Sequence, residues 1–183
     1  MSDEIIVSHC SPTLAGIKTA NIFSAEYESK KSVMAELKNL NSVLSPKGLE
    51  AVALSFGKKR VLIYIYRPAR LARDLSDKNA VRILSANGYK SSAPDECISK
   101  LIEKFNEKEE FPHEIGLFLG YPPDDVSGFI ENNACNYKLK GLWKVYGDEE
   151  KAKILFERYK KCTRLYCEQL KKGKTIKQLT VAV

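Results

Sequence analysis

Cys10 is the residue with the clearest route to chemistry. It follows His9 and precedes Ser11-Pro12. A serine followed by proline reads as an N-cap with proline at the first helical position. On that reading Cys10 sits at a helix start, beside free N–H groups and the positive end of the helix dipole. Such a position favours the thiolate and makes a nucleophile or redox thiol. His9 is its neighbour and the candidate partner, although adjacent residues on an extended chain point to opposite faces. The competing reading is a small buried cysteine in a strand–helix turn. The same helix start would suit an anion, but Gly16 is the only glycine nearby and there is no glycine-rich phosphate loop.

Arg67, Arg70 and Arg73 recur every third residue around Pro68. Arg70 and Arg73 would share a helix face and Arg67 would flank its start, a pattern that suits a carboxylate or phosphate. A solvated face with Asp74 and Asp77 as neighbours is the simpler account. His113 follows Pro112 near a helix start, where the dipole favours a neutral imidazole that can take a ligand. A packed or capping histidine is the plainer reading. Asp124 and Asp125 most simply cap the helix after Pro122-Pro123.

Five cysteines occur, with no C-x-x-C pair, and only two histidines. Free thiols are expected and a zinc module is disfavoured. No metal site and no particular cofactor is indicated, and the oligomeric state is not legible.

The elements that must position these residues follow from periodicity. Ile5-Ile6-Val7 reads as a short strand, and Leu14 to Phe23 as a helix. A second helix runs from about Ser29 to Leu44, with Val33, Leu37, Leu40 and Leu44 on one stripe. Leu49–Phe56 and Arg60–Tyr66 read as an antiparallel hairpin around Gly57-Lys-Lys59. Val61–Tyr66 lacks polar alternation, which marks a central strand covered on both faces. Helices follow at Ala69–Ser85, Asp95–Lys108, a short apolar stretch from Phe111, and Val126–Asn132. Lys138–Val145 reads as a strand around Trp143. A long amphipathic helix from about Glu149 to Lys172 carries Ala152, Leu155, Phe156, Tyr159, Cys162, Tyr166 and Leu170 on one stripe. Residues 173–183 read as a loose tail, with Leu179–Val183 as an edge strand.

The fold class is therefore α/β or α+β: a small mixed sheet with an antiparallel hairpin, helices packed on it and a long C-terminal helix. A chain of 183 residues suits a single domain, 1–183. No apolar run approaches membrane-helix length, and Met1-Ser-Asp-Glu4 is unlike a secretory start, so a cytoplasmic location with no membrane association is expected.

Net charge is +7 and is unevenly spread. Residues 1–90 carry 14 basic and 8 acidic side chains (+6), residues 91–150 carry 6 and 13 (−7), and residues 151–183 carry 10 and 2 (+8). The segments either attract one another or present a basic surface to an acidic partner. The last helix places Lys151, Lys153, Arg158, Lys160, Lys161, Arg164, Lys171 and Lys172 opposite its apolar stripe. Tyr159 and Tyr166 fall on that stripe and no nucleic-acid signature is present, so nucleic acid is disfavoured.

Three stretches carry a resemblance: His9-Cys-Ser-Pro-Thr-Leu-Ala-Gly-Ile-Lys18, Phe111-Pro-His-Glu-Ile-Gly-Leu-Phe-Leu-Gly-Tyr-Pro122 and Trp143-Lys-Val-Tyr-Gly-Asp148. Together they resemble an uncharacterised bacterial domain-of-unknown-function family numbered 3793, over nearly the whole chain. The resemblance implies a small cytosolic protein, mainly of anaerobes, in a redox or iron-metabolism setting, with an acidic redox protein such as a flavodoxin as partner. It supplies no catalytic residues. Three functions stand: a binding or accessory protein that meets an acidic partner through its basic face; an enzyme using Cys10, with His9 or the arginines placing an anionic substrate; and a nucleic-acid binder.

Overall fold

The computed structural model describes residues 1–107 and 111–182. The chain divides into two compact units: Met1–Ala69 with Lys161–Val183, and Arg70–Lys160. The α/β class holds, with both sheets antiparallel.

The first unit opens with α1 (Asp3–Leu14), a correction to the expected Ile5–Val7 strand and Ser11 N-cap. Ser2 is the N-cap and accepts from the Ile5 N–H, and Asp3 and Glu4 place negative charge in the first turn. Pro12 lies inside the helix near its end, where Ser11 Oγ donates to the Val7 carbonyl. Gly16 takes φ 73°, a left-handed turn that ends the helical run. The chain then enters strand β1 (Ala20–Glu26), where a helix was expected. α2 (Lys30–Leu44) begins at Ser29, whose hydroxyl and that of Ser32 cap each other's backbone N–H. A single 3-10 turn, Ser45–Lys47, leads into β2 (Glu50–Phe56) and β3 (Arg60–Tyr66).

The sheet order is β1-β3-β2, so β3 is central, as its unbroken apolar run predicts. Ile63 pairs with Phe23 on one side and Ala53 on the other, and Leu54 is bulged out of register. Val7, Cys10 and Leu14 of α1, Val33, Leu37 and Leu44 of α2, and Val61, Ile63 and Ile65 form one core. Ile176 and Leu179 join it from a capped helical turn near the C-terminus (Ile176–Leu179), where a loose tail was expected; the edge strand expected from Leu179 does not form over residues 179–182, and Val183 lies outside the described residues.

The second unit is mostly helical. One expected helix is two, α3 (Pro68–Leu75) and α4 (Lys78–Ala86), because Asp77 caps a new start by accepting from the N–H groups of Asn79 and Ala80. α5 (Pro94–Asn106), α6 (Ile115–Phe118) and α7 (Pro123–Glu131) come next. The Lys138–Val145 strand proves to be a small hairpin, β4 (Leu139–Lys140) and β5 (Lys144–Val145). α8 (Glu149–Lys171) has the predicted length and contributes its first half here and its second half to the first unit. Among the described residues no helix is long and apolar enough to cross a membrane.

Candidate functional site

Cys10 is fully buried in the last turns of α1, not at a helix start. Burial pushes its thiol up to about 12, and nearby Lys18 opposes this only in part. His9 is exposed to solvent. Its Nδ1 lies 2.9 Å from the Ile5 carbonyl oxygen, and its ring meets Phe23 at 5.8 Å between centroids. The two candidates thus share a helix but no site. Native-state alkylation followed by peptide mapping is expected to label exposed Cys135 first and Cys10 last, at a rate set by opening of the fold. Cys10 labelling as fast as Cys135 would refute this.

Arg67 is also an interior residue, with 2% of its surface exposed. Its Nε donates to the Thr13 carbonyl at 2.8 Å, and one terminal nitrogen donates to Leu14 and Val181 carbonyls at 2.9 and 2.8 Å. The other reaches the Lys47 carbonyl at 3.4 Å. The guanidinium therefore serves the C-terminal end of α1, where the helix dipole is negative, and ties in the chain's last residues. The expected three-arginine anion clamp loses its first member to this role. Arg73 lies on the surface against Asp74 at 2.9 Å, and Arg70 lies near Tyr159.

His113 belongs to a different arrangement. It lines a cleft of about 340 Å³ in the second unit, with Phe111, Ile115, Tyr121 and Phe129. The β4–β5 hairpin contributes Lys140, Gly141, Leu142, Trp143 and Lys144. The volume and lining match a small-molecule site: mostly apolar walls with a few polar groups. The His113 ring sits between Phe111 and Phe129, at 5.8 and 5.1 Å. Tyr121 stacks on Trp143 at 4.6 Å and Phe156 meets Trp143 edge-on at 4.5 Å. Phe111 and Leu142 remain about half exposed, at 53% and 47%.

Asp125 organises the hairpin. It is a first-turn acid of α7 and is buried, yet its carboxylate bonds run outside its own helix. Its Oδ2 accepts from Trp143 Nε1 at 2.7 Å, and Oδ1 accepts from the backbone N–H groups of Tyr146 and Gly147, both at 2.8 Å. The helix-capping role expected of it is replaced by this one. Lys144 is held over the rings of Tyr137 and Phe129, and its Nζ donates to the Ala134 carbonyl at 2.7 Å. That carbonyl belongs to a loop in which Asn133, Ala134 and Asn136 all have positive φ, a conformation that costs about 1 kcal/mol or more per non-glycine residue. The Lys144 bond, and that of Tyr146 Oη to the Cys135 carbonyl at 2.8 Å, hold it in place.

Gly141 lets the hairpin cross the Phe156 ring: a Cβ there would lie 2.1 Å from Cε2. Gly141→Ala is expected to lower stability by about 2 kcal/mol through this overlap, read from the urea midpoint. A loss below about 0.5 kcal/mol, the usual surface value, would show that the ring moves aside freely.

Sequence reasoning singled out His113 but not the residues that surround it in the cleft. The missed signal is that eight aromatic residues fall from Phe105 to Tyr146, the single tryptophan among them. Next to the cleft, buried Glu114 accepts from Tyr89 Oη at 3.0 Å and pairs with Lys104 Nζ at 2.6 Å. Burial and this carboxylate push the Tyr89 hydroxyl up, so it stays a donor. Among the described residues no three His, Cys, Asp or Glu side chains gather as a metal site.

Residues 6–180 match a family model described as a protein of unknown function, DUF3793. No curated protein and no solved structure matches the chain.

Proposed function

The chain belongs to the DUF3793 family, and from that premise we propose that it is a binding protein whose ligand site is the aromatic cleft of the second unit. The observation that carries this reading is the partly open cleft of about 340 Å³ walled by Phe111, His113, Tyr121, Phe129, Leu142 and Trp143. Binding accounts for these residues better than catalysis does: the expected nucleophile is buried with its proton held, and Arg67 is engaged by backbone carbonyls. The test is titration with a neutral apolar fluorophore, N-phenyl-1-naphthylamine. Saturable binding that weakens about tenfold in Leu142→Asp and in Phe111→Ser, both at exposed rim positions, supports the reading. Binding that neither variant alters overturns it.

A second reading draws on the basic segment of the first unit. Lys161, Arg164, Lys171, Lys172, Lys174 and Lys177 are exposed there, with Glu168 as the one acid in the same stretch. We propose this face as the contact for an acidic partner, in the cytoplasmic redox or iron setting that the family resemblance implies, with a flavodoxin-like protein as the type. Association should weaken steeply with added salt and in Lys161→Glu/Arg164→Glu; salt-insensitive binding counts against it. An enzyme using Cys10 requires a conformation that exposes the thiol. A nucleic-acid role requires a complex in a gel shift at physiological salt.

A further inference from the structure

We infer that the cleft selects a flat aromatic molecule carrying an anionic group, a carboxylate or a phosphate, with Lys140 as the residue that recognises the charge. The inference rests on the cleft being the ligand site. Its basis is the unequal state of the charged groups that line it. Asp125, the one carboxylate lining it among the described residues, is buried and already accepts from three N–H donors. Its oxygens are therefore engaged within the chain and are not offered to a cation. Lys144 is partly buried and committed to the Ala134 carbonyl and two ring faces. Lys140 and His113 differ from both. Each is exposed and lines the cleft, and among the described residues neither Lys140 Nζ nor the imidazole nitrogens of His113 have a hydrogen-bond or ion-pair partner.

The cleft thus combines apolar aromatic walls with uncommitted cationic and imidazole donors at its surface. A flat ring system satisfies the first and an anion the second. The volume limits the occupant to about the size of a substituted one- or two-ring compound or a mononucleotide, near the lower end of small-molecule sites. Aromatic walls favour such rings through offset or edge-on contacts, and a charge-assisted hydrogen bond to an ammonium adds selectivity for the acid over its neutral analogue.

The single tryptophan supplies the readout, because Trp143 Nε1–H lies in the cleft wall and gives one indole N–H resonance. The ¹⁵N-labelled full chain is titrated with indole against indole-3-acetate, and adenosine against adenosine monophosphate. The expected result is that the acid of at least one pair binds about tenfold more tightly than its neutral partner, in line with a hydrogen bond to a charged group. Lys140→Gln should abolish that preference while leaving the unliganded indole resonance in place. The pair that discriminates tells carboxylate from phosphate. Equal binding of acid and neutral compound, or a preference that survives Lys140→Gln, overturns the inference and leaves the ligand site standing. No shift of the Trp143 resonance by any of the four overturns the inference and removes support for the site as well.

Discussion

Arg67→Met is expected to lower the stability of the chain by about 4 kcal/mol, the scale of losing one partner from a buried charged network. Methionine fills much of the same space but donates nothing. The carbonyls of Thr13 and Leu14 at the end of α1, Lys47 in the 3-10 turn and Val181 near the C-terminus would all lose a donor. The Thr13 and Leu14 carbonyls each keep a backbone donor, from Gly16 and Val181 respectively, but lose a charge-assisted bond in a buried setting, which is among the costly ones to remove. Arg67→Lys is expected to recover only part of the loss, because one ammonium cannot reproduce a fork that serves carbonyls in three segments. Urea unfolding followed by circular dichroism reads both variants. A loss under 1 kcal/mol for Arg67→Met, the scale of an ordinary surface change, would show that these carbonyls find other partners. A large loss would fix Arg67 as a structural residue.

The parts of this fold that sequence reveals are those whose signal is local. Val61–Tyr66 is an unbroken apolar run and is the central strand. The α8 stripe repeats at helical spacing and gives a helix of the expected length. Errors arise where one residue type serves two structural roles. Ser11-Pro12 has the form of a helix start, yet proline is also tolerated near the end of α1 when Ser2 and the first-turn acids supply a start upstream. That single ambiguity moves Cys10 from a buried turn to a dipole-activated one and turns β1 into a helix. Asp77 is recognisable as a cap only with difficulty, since it lies within an apolar period that continues on both sides. The cleft is legible only in part, because its walls come from Phe111, Tyr121, Phe129 and Trp143, brought together by α6, α7 and the hairpin. Periodicity places each residue on its own element and says nothing of which elements meet. Asp125 illustrates the limit: its position predicts a helix cap, while its bonds run to a hairpin about twenty residues later.

Lys18 is expected to make stability rise with pH between about 7 and 10.5. It is buried in the first unit, its Nζ donates to the Ala20 carbonyl, and burial brings its pKa down from 10.5 to about 7 despite the opposing influence of Cys10. Below pH 7 both folded and unfolded chains carry the charge, and folding bears the whole desolvation cost. Between 7 and 10.5 the unfolded chain binds the extra proton, so raising the pH favours the folded state by up to about 1.4 kcal/mol per unit. Above 10.5 the lysine is neutral in both states and its contribution is level. Cys10 acts in the opposite sense at higher pH. Its folded value of about 12 lies above the ordinary 9.0, so stability contributed by the buried neutral thiol is lost as pH rises from 9 towards 12. The two slopes oppose each other between 9 and 10.5, which predicts a rise, a plateau and then a fall. Lys18→Met should flatten the rise between pH 7 and 9, and Cys10→Ala should remove the fall attributed to the thiol above 10.5. Urea unfolding at half-unit intervals, each variant and the double variant compared with the parent chain, separates this interacting pair from the other titrations. If the parent and Lys18→Met curves run parallel from pH 7 to 9, Lys18 keeps its proton in the folded chain and the burial argument fails. Divergence in that window would identify Lys18 as the group that couples the interior of this unit to pH near neutrality.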